Sequence, residues 1–152
     1  MDNLEKEIQI RLVKVKETSF FLNSSLLEKI ETKDLNNLQI GFGLNIKPEM
    51  LKNTLNLSLI VKYQSSPNED DKILEIETSN IFEIIDMEGV IEDKGDKIED
   101  KAGITPTLVG IAIGTIRGIL VAKMTSTPLE DYPLPIVNPT ELCNNLSIPS
   151  SK

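Results

Sequence analysis

The groups in this sequence that could do chemistry are almost all carboxylates. Twenty-four Asp and Glu stand against sixteen Lys and Arg, with no histidine and one cysteine, Cys143. Without histidine there is no Ser-His-Asp triad, no imidazole base and no His-ligated zinc. A lone thiol closes no disulfide within the chain and builds no cysteine-only metal site. No basic cluster lies near Cys143 in the sequence to lower its pKa, so an inert thiol is expected. The run Asn68-Glu69-Asp70-Asp71 resembles the start of a calcium loop. It lacks the glycine and distal glutamate of an EF-hand and reads as a solvated turn. No phosphate-cradling glycine loop of the Walker type is present. The acids are too plentiful for any pair to stand out as an acid–base couple. The expectation is therefore no enzyme, no metal and no cofactor.

A formal charge of −8 argues against DNA, RNA and anionic membranes, whose binding rests on Lys and Arg. Aromatics at 4%, with no tryptophan, disfavour stacking sites. What remains is an interaction protein with room for basic partners. At 152 residues the chain fits a single domain, 1–152, long enough to bury a core without staples. The polar, acidic Met1–Glu7 is unlike a secretory signal, which points to the cytoplasm. The run Ile104–Ala122 is the one membrane suspect, but Arg117 cuts it short of the roughly 18–20 residues a span needs. A buried helix is the expected form, without membrane insertion.

The elements that must position these groups follow from periodicity. Four stretches read as strands: Ile8–Phe21, Leu38–Lys47, Thr54–Tyr63 and Lys72–Asp86. In the first, the apolar set switches parity from Ile8, Ile10 and Leu12 to Val13 and Val15, which requires a bulge near Leu12–Val13. The others alternate, with Leu55, Leu57, Leu59 and Val61 the clearest row, as in an antiparallel sheet covered on one side. Leu22–Asn37 is long enough to be a crossover, whereas Lys47–Asn53 and Ser65–Asp70, with Pro48 and Pro67, suit hairpin turns. The last three strands then form a meander. Glu88–Lys101, rich in acids and lysines, reads as a mobile solvated loop.

One long helix is expected over Pro106–Met124, capped by Thr105, with Pro106 at its first position and Lys123 in its last turn. It is apolar nearly all round and so needs cover on more than one face. A single sheet supplies one; a second copy of the chain is the simplest source of the other. Gly110, Gly114 and Gly118 repeat every fourth residue and form a groove suited to close backbone approach, marking an oligomer interface. Thr127–Pro139, with four prolines, is extended and apolar. A short last helix begins at Asn138 or Thr140 and ends near Asn145, and Ser147–Lys152 frays, leaving a core of about 8–142 by this pattern.

In this order the sequence resembles the SecB protein-export chaperone family. The resemblance rests on four places: Ile8-Gln9-Ile10-Arg11 through Thr18-Ser19-Phe20; Ile81-Phe82-Glu83-Ile84 followed by Glu88-Gly89; Ile116-Arg117-Gly118; and Tyr132-Pro133-Leu134-Pro135-Ile136-Val137-Asn138-Pro139. It implies an α+β fold: a four-stranded antiparallel sheet with a crossover after strand 1, one long helix packed on one face, assembled as a dimer or dimer of dimers. It also implies an ATP-independent holdase that binds unfolded client proteins and delivers them to the SecA motor. Glu17 and Glu75 match acids of the family's motor-binding patch, while Phe21 replaces another and the closing helix is shortened. SecB-like chaperones that guard the antitoxin of a toxin–antitoxin pair are the alternative, as is a small oligomeric interaction protein without an export role. Leu26, Leu27, Ile30, Tyr132, Leu134 and Ile136 are the candidates to line a client groove, since exposed apolar patches mark interaction sites.

Overall fold

The computed structural model describes residues 7–145. Strand β1 (Ile10–Leu22) leads through two short helices, α1 (Ser24–Lys29) and α2 (Thr32–Leu35), into β2 (Gln39–Glu49), β3 (Thr54–Gln64) and β4 (Lys72–Ile84). All four pair antiparallel in the order β1-β4-β3-β2, so the crossover carries the chain from one edge of the sheet to the other. The α1–α2 segment is anchored at its start, where Asn23 Oδ1 accepts from the Leu26 N–H at 3.0 Å. The expected parity switch in β1 is a register shift between Leu12 and Lys14. A second shift, between Glu17 and Ser19, was not expected.

Strand β3 shows why the sheet is one-sided. Leu55, Leu57, Leu59 and Val61 are fully buried, and Asn56, Ser58, Ile60 and Lys62 between them are half-buried on the other face. Strand β4 repeats the pattern with Leu74, Ile76, Phe82 and Ile84 on the covered side. Two polar residues, Thr78 and Asn80, interrupt that covered row and are fully buried. The Asn80 amide donates to Leu57 O at 3.1 Å and to Thr78 Oγ1 at 3.3 Å.

Glu88–Lys101 is ordered rather than a mobile loop. It forms a hairpin of β5 (Ile91–Asp93) and β6 (Ile98–Asp100), pinned by Ile91, fully buried, and Val90. Helix α3 (Thr105–Met124) follows. Thr105 is its first residue and not its cap; the capping acceptor is Asp100, whose two carboxylate oxygens take the N–H groups of Ile104 and Thr105 at 2.9 and 2.7 Å. Helix N-termini leave such donors orphaned, and a carboxylate there also suits the dipole. By length and composition alone α3 could cross a membrane, with mean hydropathy 1.6. In this fold it lies on the sheet, with Leu108, Ala112, Ile116 and Leu120 buried beneath it. An irregular segment then runs to α4 (Pro139–Asn145), whose first N–H groups, at Thr140 and Glu141, are accepted by Asn138 Oδ1. The fraying expected for Ser147–Lys152 lies outside the described residues.

Candidate interaction surface

Helix α3 presents two apolar faces with different fates. The sheet-facing residues Leu108, Ala112, Ile113, Ile116, Leu120 and Met124 are buried. The opposite face carries Thr107, Ile111, Gly114, Gly118, Val121 and Ala122 at spacings of three and four, and all are exposed. Ile111 and Val121 are 40% and 55% exposed. The three glycines do not act as one stripe. A Cβ at Gly110 would meet Pro139 Cγ at 3.3 Å, so this glycine seats α4 against α3. At Gly114 and Gly118 a Cβ would meet nothing within 4 Å.

Edge strand β1 extends the open apolar surface. Leu12, Val15 and Phe20 pair with Phe82, Asn80 and Ile76, which places them on the covered side of the sheet, yet each stays partly exposed. Lys123, in the last turn of α3, reaches over this edge. Its Nζ lies 2.9 Å from Glu17 Oε1 and 4.3 Å from the centre of the Phe20 ring.

The two acids of the expected partner patch are not brought together. Glu17 pairs with Thr78 and meets Lys123 on the helix side. Glu75 lies opposite Phe21 and Lys62 on the open side, where Lys72 Nζ approaches it at 2.6 Å. Lys72 also holds Glu69 at 2.9 Å, sits 5.0 Å from the Phe21 ring centre, and is held above the usual lysine pKa by hydrogen bonds to Glu75 and Glu69. Glu17 shares the face of Val15 two residues before it, whereas the unexpected bulge after it sends the side chains beyond to the other face and so puts Phe21, not Glu17, beside Glu75.

The six groove candidates divide in the same way. Leu27 and Leu134 are buried in the core, while Leu26, Ile30 and Tyr132 are half-buried against it. Ile136 is 97% exposed. Tyr132 is brought to the crossover, its hydroxyl donating to Thr32 O at 3.5 Å. Arg117 fixes the proline-rich segment along α3: its Nε donates to Leu134 O at 3.0 Å and its Nη2 to Pro135 O at 2.9 Å. Leu134 is thus held inward and Ile136 stands outward. This clamp was not foreseen, although Arg117 belongs to one of the motifs quoted for the resemblance. Burial pushes the Tyr63 hydroxyl up to about 12, opposed by the charge of Arg117.

Burial first, then Asp100, pushes the Cys143 thiol up, away from the reactive range. Among the described residues no cluster of three or more Cys, Asp or Glu is placed to hold a metal.

No protein-family profile matches the chain, and no curated relative matches it. Among solved structures, the chain is similar to a SecB-like chaperone of Mycobacterium tuberculosis in complex with a peptide from the HigA1 antitoxin. That similarity has a TM-score of 0.45 and 12% identity, and it covers 86% of this chain and 88% of the other.

Proposed function

We propose that this protein is a SecB-like, ATP-independent holdase that works in the cytoplasm as a homo-oligomer and shields an apolar segment of a client. The observation that carries the reading is the apolar surface left open on the helix side of the sheet. It comprises Ile111 and Val121 on α3, Leu12, Val15 and Phe20 on β1, and Ile136 beyond them. Large exposed apolar surface of this kind tends to mark an interaction site. The outward stripe of α3 takes a second copy, giving a dimer or dimer of dimers. The half-buried Leu26, Ile30 and Tyr132, with the exposed Ile136, offer clients a surface whose walls are anchored by Leu27 and Leu134. Binding by burial of apolar area needs no cofactor, metal or bond-making step.

Of the two forms this role can take, guarding one dedicated client such as an antitoxin is the better supported. Delivery to a SecA-type motor requires a negative patch for a basic tail. Glu17 and Glu75 lie on opposite faces of the sheet, each engaged by a lysine.

The test is aggregation of a chemically unfolded substrate with and without the protein, in the absence of ATP. Slowed aggregation is expected, and nucleotide should change nothing. Equal rates with and without the protein would sink the reading. Native capture of bound proteins then separates the forms: one small antitoxin is expected, whereas secretory precursors together with SecA would restore the export role.

A further inference from the structure

The segment 125–138 between α3 and α4 forms no helix or strand. It carries Pro128, Pro133 and Pro135, which have no N–H to give to a ladder. Leu134 is nevertheless buried in the core, while Pro133, Pro135 and Ile136 around it are exposed. Among the described residues the only hydrogen bonds to 133–137 are the two from Arg117, to Leu134 O and Pro135 O. No carboxylate among the described residues pairs with Arg117, in a chain rich in acids. One side chain thus fastens a leucine plug. Beside it runs a crevice of about 10 Å³, to which the sheet and α3 contribute Tyr63, Leu74, Leu120 and Met124, and the segment contributes Leu129 and Pro133. That is about the room of one water, so the crevice opens to a larger guest only when the segment moves aside.

We propose that the seat of Leu134 and the guanidinium of Arg117 form a binding site for an extended, leucine-bearing segment of a client, kept closed in the free chain by its own residues 133–137. The chain's own segment shows what the site takes. Its side chain is a leucine in an apolar seat, and its backbone offers two successive carbonyls to the planar fork of an arginine. Carbonyls are common to every sequence, so the fork selects an extended backbone and the seat selects the apolar side chain. A client that binds only when 133–137 has left draws the chain toward that open state. The site deepens the holdase reading and rests on it for the identity of the occupant as a client.

The probe is the segment's own sequence supplied in trans, acetyl-Pro-Leu-Pro-Ile-Val-amide, titrated into the whole chain and followed by the amide shifts of Tyr63, Arg117 and Leu120. The wild-type chain should bind it weakly, because the tethered copy competes. Leu134→Ala empties the seat and should tighten binding by about tenfold or more, the intramolecular competitor being lost. Pro135→Gly, at an exposed position, loosens the segment without emptying the core and should tighten binding severalfold, which covers the case in which Leu134→Ala fails to fold. A peptide with asparagine in place of leucine should not saturate either variant. Adding Arg117→Gln to each variant should remove its gain. A purely structural leucine and arginine predict lower stability and no gain at all. The proposal is overturned if the folded variants bind no tighter than wild type, if the asparagine peptide binds equally well, or if the gain survives Arg117→Gln. Tighter binding without slowed aggregation would keep the site and end the holdase reading; slowed aggregation without tighter binding would do the reverse.

Discussion

The two faces of α3 are close in composition and opposite in situation. One face sends Leu108, Ala112, Ile116 and Leu120 into the sheet, where all are 3% exposed or less. The other shows Ile111 and Val121 to solvent, with Gly114 and Gly118 bare between them. The first face is satisfied by this chain alone. The second has the character of an interior surface, and among the described residues its Gly114 and Gly118 have nothing within 4 Å of where a Cβ would stand. A helix apolar all round is normally a buried helix, and the contrast is the reason for proposing a second copy over the open face.

The largest effect should come from the satisfied face. Ile116→Ala removes a fully buried side chain beneath the helix and is expected to cost about 2–5 kcal/mol of unfolding free energy. Denaturant titration at low protein concentration measures it. Val121→Ala, on the open face of the same helix, should change the same measurement by no more than about 0.5 kcal/mol. Similar losses at the two sites would mean that the faces do not differ as described.

Much of this contrast was legible beforehand, for a physical reason. Strict alternation in β3 and the parity break at Leu12–Val13 are period-two signals that depend on one buried face, and both elements formed as expected. The all-round apolar pattern of α3 was equally plain, and of the two starts the sequence offers for α4, Asn138 and Thr140, the capping bond picks Asn138. The bulge at Glu17–Ser19 was not, because Thr18 and Ser19 are polar and leave no apolar parity to break. Glu17 keeps the helix side that the shift at Leu12–Lys14 gives Val15, and this later bulge turns Phe21 to the open side beside Glu75. The 88–101 hairpin was hidden because its strands are three residues each and its apolar content is Val90, Ile91 and Ile98 among acids and lysines. The glycine repeat looked uniform in sequence; only the return of the chain to Pro139 distinguishes Gly110 from the other two.

A smaller effect should come from the end of α3 on which both faces depend. Asp100 belongs to the hairpin, and its carboxylate holds the N–H groups of Ile104 and Thr105. Asp100→Ala leaves both donors without that acceptor and should cost about 0.5–2 kcal/mol, the usual loss for an N-cap. Thr105→Ala should cost less, since the threonine is the first helical residue and its side chain does not cap. A larger loss at Thr105 than at Asp100 would return the capping role to the threonine.

The smallest effect on the single chain should accompany the clearest effect on assembly. Glycine inside a helix is less favourable than leucine by roughly 0.5–1 kcal/mol. At Gly114 an added side chain meets no atom within 4 Å of its Cβ. Gly114→Leu should therefore leave the isolated chain as stable as before or slightly more so. In the proposed assembly the same leucine would stand between surfaces that a bare backbone lets approach, and overpacking of that kind costs about 1–3 kcal/mol. Sedimentation should show the wild-type chain as a dimer or tetramer at micromolar concentration and the variant shifted toward monomer, with thermal stability preserved when both are compared as monomers. Gly110→Leu should do the opposite: its side chain collides with Pro139, at 3.3 Å from the Cβ, so α4 is displaced and the chain itself loses stability. If Gly114→Leu destabilises the monomer while self-association is unchanged, the open face of α3 is covered by something other than a second copy. A wild-type chain that stays monomeric throughout would lead to the same conclusion.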